Sequence, residues 1–443
     1  MPRTSINKIC FGLLLVVLVF STLLFGAVHQ SILAIVYVLL ALIAMLLGID
    51  AIRSGQANIS LNMLLIPIFG AALYGAIQTI PFGTLELGGV SGIGRTISID
   101  PFATQVAALH FLALGVFFTL AATLFDSALR LKLAVSFITI FGFLYAFFAI
   151  LQSVLSPEAI YGFYTRFGSA PFGSFVSRNN FAAWIELAVM FPIALLFTNN
   201  IEKDKRLIYV TAAAVMGVAL VVSGSRGGLV AFVSGIVFLF LLTFRARTIR
   251  GTALRVLLVL GLLGAIVAGS VFVGGESSLT RLSDEQAAAG TNVDRLHIWS
   301  VTLKIIGESF PLGIGLGSFG DAYTRFDANS GFERVEQAHN DHLQVVSDAG
   351  LPGILLGAIF LFFLIRSGIR ALRAGNRFRR GIGAGAFAGL FAVLVHSLFD
   401  FVLHTTAIAL FFLAVLAILV AAGSKFADDI EVAKDYRRAR RGA

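Results

Sequence analysis

Twelve long apolar runs dominate this sequence and leave little choice of fold. Each approaches or exceeds about 18 residues, the length at which an apolar run is read as a membrane-crossing α-helix. The runs are continuous rather than alternating, which favours helices over the strands of a membrane barrel. They cover residues 9–28, 31–49, 61–80, 103–125, 131–155, 180–198, 206–223, 227–243, 254–274, 351–369, 381–399 and 404–423. We therefore expect an all-α integral membrane protein with about twelve transmembrane helices.

Composition agrees with this class and argues against a water-soluble protein. Hydrophobic residues make up 58% of the chain and charged residues only 13%, whereas soluble domains carry about a quarter charged residues. The first run is too long for the core of a signal peptide, so we expect it to be retained. The one cysteine, Cys10, lies inside that run, which excludes an internal disulfide framework. No linker divides residues 1–443, and we expect a single polytopic domain.

The basic residues fix the expected orientation of the helices. With the N-terminus in the cytoplasm, 24 of the 33 Lys and Arg residues fall in segments on the inner side, as the positive-inside rule requires. The net charge of +9 is then explained by topology and by attraction to anionic lipids, and no motif indicates nucleic-acid binding. Residues 424–443 form a basic cytoplasmic tail. Residues 275–350, between the ninth and tenth spans, form one long outward loop with helical stretches at 294–307 and 337–349.

Three arginines at the outer face are candidates for binding an anion. Arg226 lies in the short Ser-Gly-Ser-Arg-Gly-Gly link of residues 223–228, where glycines expose backbone N–H groups and the guanidinium offers a fork suited to phosphate. Arg295 precedes Trp299 by one helical turn, and Arg178 precedes Asn180 at the start of the sixth span. The alternatives are an arginine that reaches lipid phosphates, a solvated arginine above an aromatic anchor, and a helix cap at Asn180.

The segment around His339 and His342 holds the strongest candidate for catalysis. The two histidines would share one face of a helix. A zinc site is disfavoured because the sequence offers no second cluster of ligands, and a hydrogen-bonded structural pair is a further alternative. We favour a general base, because imidazole titrates near neutral pH and can take a proton from a hydroxyl. Asp341 and Asp348 are the candidates for orienting that base.

A final polar segment, residues 396–404, connects the last two spans. His396 and Asp400 are four residues apart, a spacing at which they could pair. The alternative is that these polar side chains only hold helices together.

Taken in order, five segments resemble the O-antigen ligase and polymerase family of bacterial membrane glycosyltransferases. The resemblance rests on Arg-Asn-Asn-Phe-Ala at 178–182, Ser-Gly-Ser-Arg-Gly-Gly at 223–228, Arg-x-x-x-Trp at 295–299, His-Asn-Asp-His-Leu-Gln at 339–344 and His-Ser-Leu-Phe-Asp-Phe-Val-Leu at 396–403. The 295–299 segment is followed by Pro-Leu-Gly-Ile-Gly-Leu-Gly-Ser-Phe, and the 339–344 segment by Gly-Leu-Pro-Gly. The first five spans carry no motif of this kind.

The resemblance implies a multi-pass enzyme of the bacterial inner membrane with its active face in the periplasm. Its donor would be a glycan on polyprenyl diphosphate, and its acceptor a glycan or glycolipid hydroxyl. The transfer would be inverting, without metal or cofactor. His339 would act on the acceptor hydroxyl, while Arg226, Arg295 and Arg178 would bind the diphosphate. Many relatives carry an aromatic residue in place of His342.

Several interpretations of the function stay open at this point. A ligase would pass a finished glycan to a terminal acceptor, whereas a polymerase would extend a lipid-linked repeat by the same chemistry. The second-tier site residues are His342, His396, Asp400 and Asn180. A transporter and an envelope scaffold are alternatives from other classes. The candidate residues cluster at one face rather than at the membrane midplane, which disfavours the transporter.

Overall fold

The computed structural model describes residues 4–165, 170–243, 295–328 and 334–424. Most of these residues are helical, and ten of the helices are long and apolar enough to cross a membrane. The ten are α1 (Ser5–Leu23), α2 (Gln30–Ser54), α4 (Pro101–Leu124), α5 (Ala128–Leu155), α6 (Arg178–Phe197), α7 (Arg206–Val222, extended at its start by a 3₁₀ turn at Lys203–Lys205), α8 (Arg226–Thr243), α11 (Asp341–Leu372), α12 (Arg377–His396) and α13 (Thr406–Gly423). The expectation of an all-α polytopic membrane protein is confirmed.

Two of the twelve predicted spans have a different outcome. The run 61–80 forms only a short apolar helix of 14 residues, α3 (Leu65–Gln78). A turn precedes it, in which the Asn62 side chain accepts a hydrogen bond from the backbone N–H of Leu64 at 2.9 Å. The run 254–274 lies outside the described residues, as do 275–294 of the predicted loop and the tail from residue 425. The described part of that loop contains α9 (Arg295–Ser309), α10 (Phe319–Phe326) and the start of α11.

A small hairpin, which the sequence did not lead us to expect, lies between α3 and α4. Its strands β1 (Thr84–Leu87) and β2 (Val90–Gly94) are antiparallel, with Leu87 opposite Val90. Gly88 and Gly89 form the two-residue turn, with φ of +58° and +84°. Two positive φ angles define the turn that best matches strand twist, and glycine adopts them without steric cost. The Gly-Gly pair between short apolar stretches was the available signal.

Helices α6, α12 and α13 form the centre of the bundle. Within their apolar windows 94% of α6 and 89% of α13 are buried, against 17% of α2 at the periphery. Glycines on α12 allow this close packing. A Cβ atom at Gly385 would lie 2.9 Å from the Ala194 Cβ atom and from the Met190 carbonyl oxygen on α6. Small residues at such contacts let membrane helices approach until their backbones touch.

The loops that carry the candidate motifs meet at one end of the bundle. Gln78, at the end of α3, donates to the Asp348 carbonyl at 2.9 Å and accepts from the Leu316 N–H at 3.0 Å. At the opposite end, buried arginines cap helix ends: Arg130 donates to the Leu124 carbonyl at 3.0 Å, and Arg379 donates to that of Ala422 at 3.1 Å. These two arginines therefore lie at the other end from His339 and His404, and the positive-inside rule predicts that the histidine end faces outward.

Cysteine labelling tests this orientation. The native Cys10 is buried, so a new cysteine reports its own position. Phe163, between α5 and α6, is 75% exposed, and Asp204, before α7, is also exposed. In right-side-out membrane vesicles, an impermeant maleimide should label Phe163→Cys at once and Asp204→Cys only after permeabilisation. The reverse pattern would overturn the predicted orientation.

Candidate active site

The start of α11 positions His339 outside the helix. Asn340 is the N-cap, and its side-chain oxygen accepts from the N–H groups of His342 and Leu343 at 3.0 and 3.1 Å. His339 precedes this cap in a left-handed conformation with φ +48°. Non-glycine residues rarely adopt this conformation, and those that do often lie at functional sites. Because it lies before the cap and has a positive φ, His339 does not lie on the face of α11.

His339 is hydrogen-bonded to a buried carboxylate. Its Nδ1 lies 3.0 Å from Oδ1 of Asp400, and its ring meets the edge of Phe401 with centroids 4.8 Å apart. Asp400 lies in the loop between α12 and α13 and is only 6% exposed, against 34% for His339. Burial alone would raise the pKa of Asp400, but the hydrogen bond and charge of His339, with the charge of Arg295, lower it to about 2.

This pairing fixes the tautomer of His339. An ionised carboxylate can only accept hydrogen bonds, so Nδ1 of His339 carries the hydrogen that it donates to Asp400. The other ring nitrogen, Nε2, then carries the lone pair that can accept a proton. His339 is thus placed as a general base whose ring is oriented by a carboxylate.

The second oxygen of Asp400 connects the pair to two other motifs. Oδ2 lies 3.7 Å from a guanidinium nitrogen of Arg295 and accepts a short hydrogen bond from the side-chain amide of Asn179. The amide oxygen of Asn179 in turn accepts from the Ser225 hydroxyl at 2.8 Å. Ser225 is the residue before Arg226. A continuous set of contacts thus joins the segments at 178–180, 223–228, 295–299, 339–344 and 396–404.

The three predicted anion-binding arginines lie at helix starts near this network. Arg178 begins α6 and Arg226 begins α8, where the backbone N–H groups and the helix dipole favour anions. The Arg178 guanidinium lies beside Gly224, 3.6 Å from the position of a Cβ atom there. Arg226 is exposed. Arg295 is 44% exposed although it contacts Asp400, so part of its guanidinium can reach a ligand.

His342 does not share a face with His339, contrary to the prediction. Because His339 lies before the N-cap with a positive φ, helical spacing does not apply to the pair. The exposed ring of His342 donates from Nε2 to the Leu394 carbonyl at 3.1 Å. Among the residues that the structure describes, no three His, Cys, Asp or Glu side chains are grouped as a metal site would require.

The predicted pairing of His396 with Asp400 is also wrong. His396 is the last residue of α12, so the helix does not continue to Asp400. His396 instead bonds through Nδ1 to Oε1 of Glu186 at 2.9 Å. Asn180, the other second-tier residue, is buried in the first turn of α6, where the cap is Ser177. It is Asn179, one position earlier and about 100° around the helix, that joins the site.

The proposed orienting acids of His339 serve other groups. Asp341 accepts from His404 at 2.6 Å and from the Ser397 hydroxyl at 2.8 Å, while its N–H donates to the Ser397 carbonyl at 3.0 Å. Asp348 accepts from the Gly317 N–H at 3.3 Å. The bonds of Asp341 clamp the start of α11 to the loop that carries Asp400.

The sequence analysis missed several site residues. Glu186 could have been found, because a carboxylate within an apolar span is costly and usually functional. Asn179 and Ser225 lay inside recognised motifs but had no feature that distinguished them from their neighbours. The link between Asp341 and His404 spans 63 residues and depends on the tertiary fold.

The Asp341–His404 clamp predicts a pH-dependent stability. Burial alone would lower the pKa of His404, but its hydrogen bond to Asp341 and the charge of that carboxylate raise it. A raised pKa means that the pair stabilises the fold fully below the unfolded value of about 6.5, and that this contribution is lost as the pH rises through the higher folded value. His404→Asn should therefore lower the unfolding temperature of the detergent-solubilised protein by several degrees below pH 6.5, and by less at high pH.

His342→Asn is the matched control for that measurement, because the His342 ring bonds to a neutral carbonyl. Its effect on the unfolding temperature should change little over the same pH range. A His404→Asn effect that is equally large at high pH would contradict the charged clamp.

Comparison with known proteins adds one finding. Residues 211–358 match the family model described as O-antigen ligase, and no curated protein matches the chain. The matched segment includes Arg226, Arg295, His339 and His342, and it ends before Asp400. This family indicates an enzyme of polysaccharide assembly that acts on glycans as a membrane glycosyltransferase. Over residues 211–358 the chain is therefore similar to the O-antigen ligase family, which supports the family expected from its motifs.

Proposed function

We propose that this protein transfers a glycan from polyprenyl diphosphate to a sugar hydroxyl of an acceptor glycan or glycolipid, at the periplasmic face of the bacterial inner membrane. The observation that carries the proposal is the hydrogen bond of 3.0 Å between His339 and the buried Asp400, beside Arg295 and linked through Asn179 to the turn of Arg226. This arrangement supplies a base and positive charge at one end of the bundle.

His339 acts as the base in the proposed reaction. Its Nε2 accepts the proton of the acceptor hydroxyl while the hydroxyl oxygen forms a bond to C1 of the donor sugar. The bond between C1 and the phosphate oxygen breaks, and its electron pair leaves with polyprenyl diphosphate. Attack from the face opposite the leaving group inverts the configuration at C1. Asp400 holds the imidazole in the required tautomer and stabilises the imidazolium that forms.

Arginines take the role of stabilising the leaving group, so we propose a transfer that needs no metal. Positive groups aimed at a developing charge in a water-poor site lower the barrier strongly, because little solvent screens them and they are already in place. Arg226 and Arg178 begin helices at this end, and Arg295 is shared with Asp400. The polyprenyl chain would lie among the membrane lipids between helices. Ligase and polymerase would use this same centre and differ only in the acceptor.

Replacement of His339 or of Arg226 should strongly reduce transfer. We expect His339→Ala to lower the transfer rate of purified protein about 1000-fold, and Arg226→Ala about 100-fold or more. Arg226→Lys should also fail, because a point charge cannot replace the guanidinium fork. Arg325→Ala is the control, since Arg325 is exposed and lies over the Phe326 ring. Transfer should persist in a chelator.

Surface glycan profiles of cells that carry these variants give the same test in vivo and identify the acceptor. Loss of attachment while polymer is still made indicates a ligase, whereas single unextended repeats indicate a polymerase. Normal profiles in cells with correctly inserted His339→Ala and Arg226→Ala would refute the proposed catalytic roles.

The role of Asp400 has a closely matched control. Asp400→Asn keeps the size of the side chain but removes the charge that fixes the His339 tautomer, and we expect a loss of transfer of about 100-fold or more. Asp327→Asn removes the same charge from a second His–Asp pair, in which His297 Nε2 lies 2.8 Å from Oδ1 of Asp327. That control should keep near-normal transfer. Equal effects of the two substitutions would count against a catalytic His339–Asp400 pair.

A further inference from the structure

A second acid–base pair lies deeper in the bundle than the proposed catalytic pair. Nδ1 of His396, at the end of α12, is 2.9 Å from Oε1 of Glu186 on α6, and the two side chains are 1% and 0% exposed. Removing such groups from water costs several kcal/mol per ion if they are charged. A pair that only joined two helices would be replaceable by apolar side chains of similar volume. Its presence in a buried core therefore indicates a function.

Glu186 is the only hydrogen-bond partner that the described part of the protein gives to the His396 ring. His396 Nε2 and Glu186 Oε2 are both buried without a hydrogen-bond partner among the described residues. The Nδ1–Oε1 bond therefore sets the angle of the imidazole.

That outer edge supports the turn that carries Arg226. A Cβ atom at Gly227 would lie 3.2 Å from Cδ2 and 3.3 Å from Nε2 of His396. The first turn of α8 therefore rests directly on the imidazole, and glycine is the residue that allows this approach. The other side of the turn is held through the Ser225 hydroxyl, which bonds to Asn179 at 2.8 Å.

We infer that Glu186 and His396 form a positioning pair that holds the Ser223–Gly228 turn, and with it the guanidinium of Arg226, in the orientation that binds the donor diphosphate. The inference rests on the proposed function. Both side chains are too buried to touch the substrate, so they act through Gly227. Glu186 orients His396, His396 supports the turn, and the turn presents Arg226.

Donor affinity distinguishes this role from that of simple helix contact. Glu186→Leu replaces the carboxylate by an apolar side chain of moderate size and so removes the acceptor of the His396 hydrogen bond. In purified protein it should raise the KM for the polyprenyl-diphosphate glycan about tenfold while the KM for the acceptor stays within about twofold. Glu186→Gln should restore most of the donor affinity, because its amide oxygen can accept the same hydrogen bond.

Gly227→Ala tests the same contact from the side of the turn, without a change in the bundle core. Its methyl group would press on the imidazole, and we expect a comparable rise in donor KM. Gly357→Ala is the control, because a Cβ atom there meets nothing within 4 Å. A folded Gly227→Ala variant with unchanged donor KM would overturn the inference, even if Glu186→Leu does not fold.

The Arg226→Ala background separates this inference from the proposed function. Because the pair acts through Arg226, Glu186→Leu should weaken donor binding no further in that background. Additive losses would mean that the pair acts elsewhere, and would overturn the inference. If Arg226→Ala alone leaves donor binding unchanged, the diphosphate role of Arg226 in the proposed function has failed as well. If Arg226→Ala weakens binding and Gly227→Ala does not, only the positioning role fails.

Discussion

The candidate site depends on the hydrogen bond between His339 and Asp400, which joins two segments 61 residues apart. Two neighbouring hydrogen bonds join the same two segments: Asp341 bonds to His404, and the Asn340 side chain donates to the Leu398 carbonyl at 3.0 Å. The segment before α11 and the loop after α12 thus form one interlocked unit. Its geometry explains why motifs that are far apart in the sequence can share one reaction centre.

A membrane interior limits where such a unit can be built. Unpaired polar groups are costly in hydrocarbon, so the hydrogen-bonded residues concentrate where helices end and loops begin. The glycines of α12 permit close packing in the core, and this packing brings the start of α6 and the end of α12 together with the start of α8. The Glu186–His396 pair lies within the spans, and it contacts one of those helix starts through Gly227.

The sequence was sufficient for the membrane class and for the family of the main motifs, because apolar length depends on composition over long windows. Two predicted side-chain pairs were wrong because helical spacing was assumed to continue past the end of a helix. His339 and His342 are separated by an N-cap, and His396 and Asp400 by a C-terminus. Asn179 and Asn180 are neighbours whose side chains point in different directions from α6. The true partners, Asp400 for His339 and Glu186 for His396, are fixed only by tertiary packing.

The charges around Asp400 also suggest how proton transfer and departure of the diphosphate are coupled in the proposed reaction. A base must start neutral to take up a proton, so before transfer the cation that balances the ionised Asp400 is Arg295 at 3.7 Å. Proton uptake by His339 adds one positive charge next to Asp400, so the carboxylate is then shared by two cations. The attraction of Asp400 for Arg295 is weakened at that moment, and the half-exposed guanidinium is freer to turn to the newly charged leaving group. The base and the arginine that neutralises the diphosphate would therefore respond to each other through one buried carboxylate.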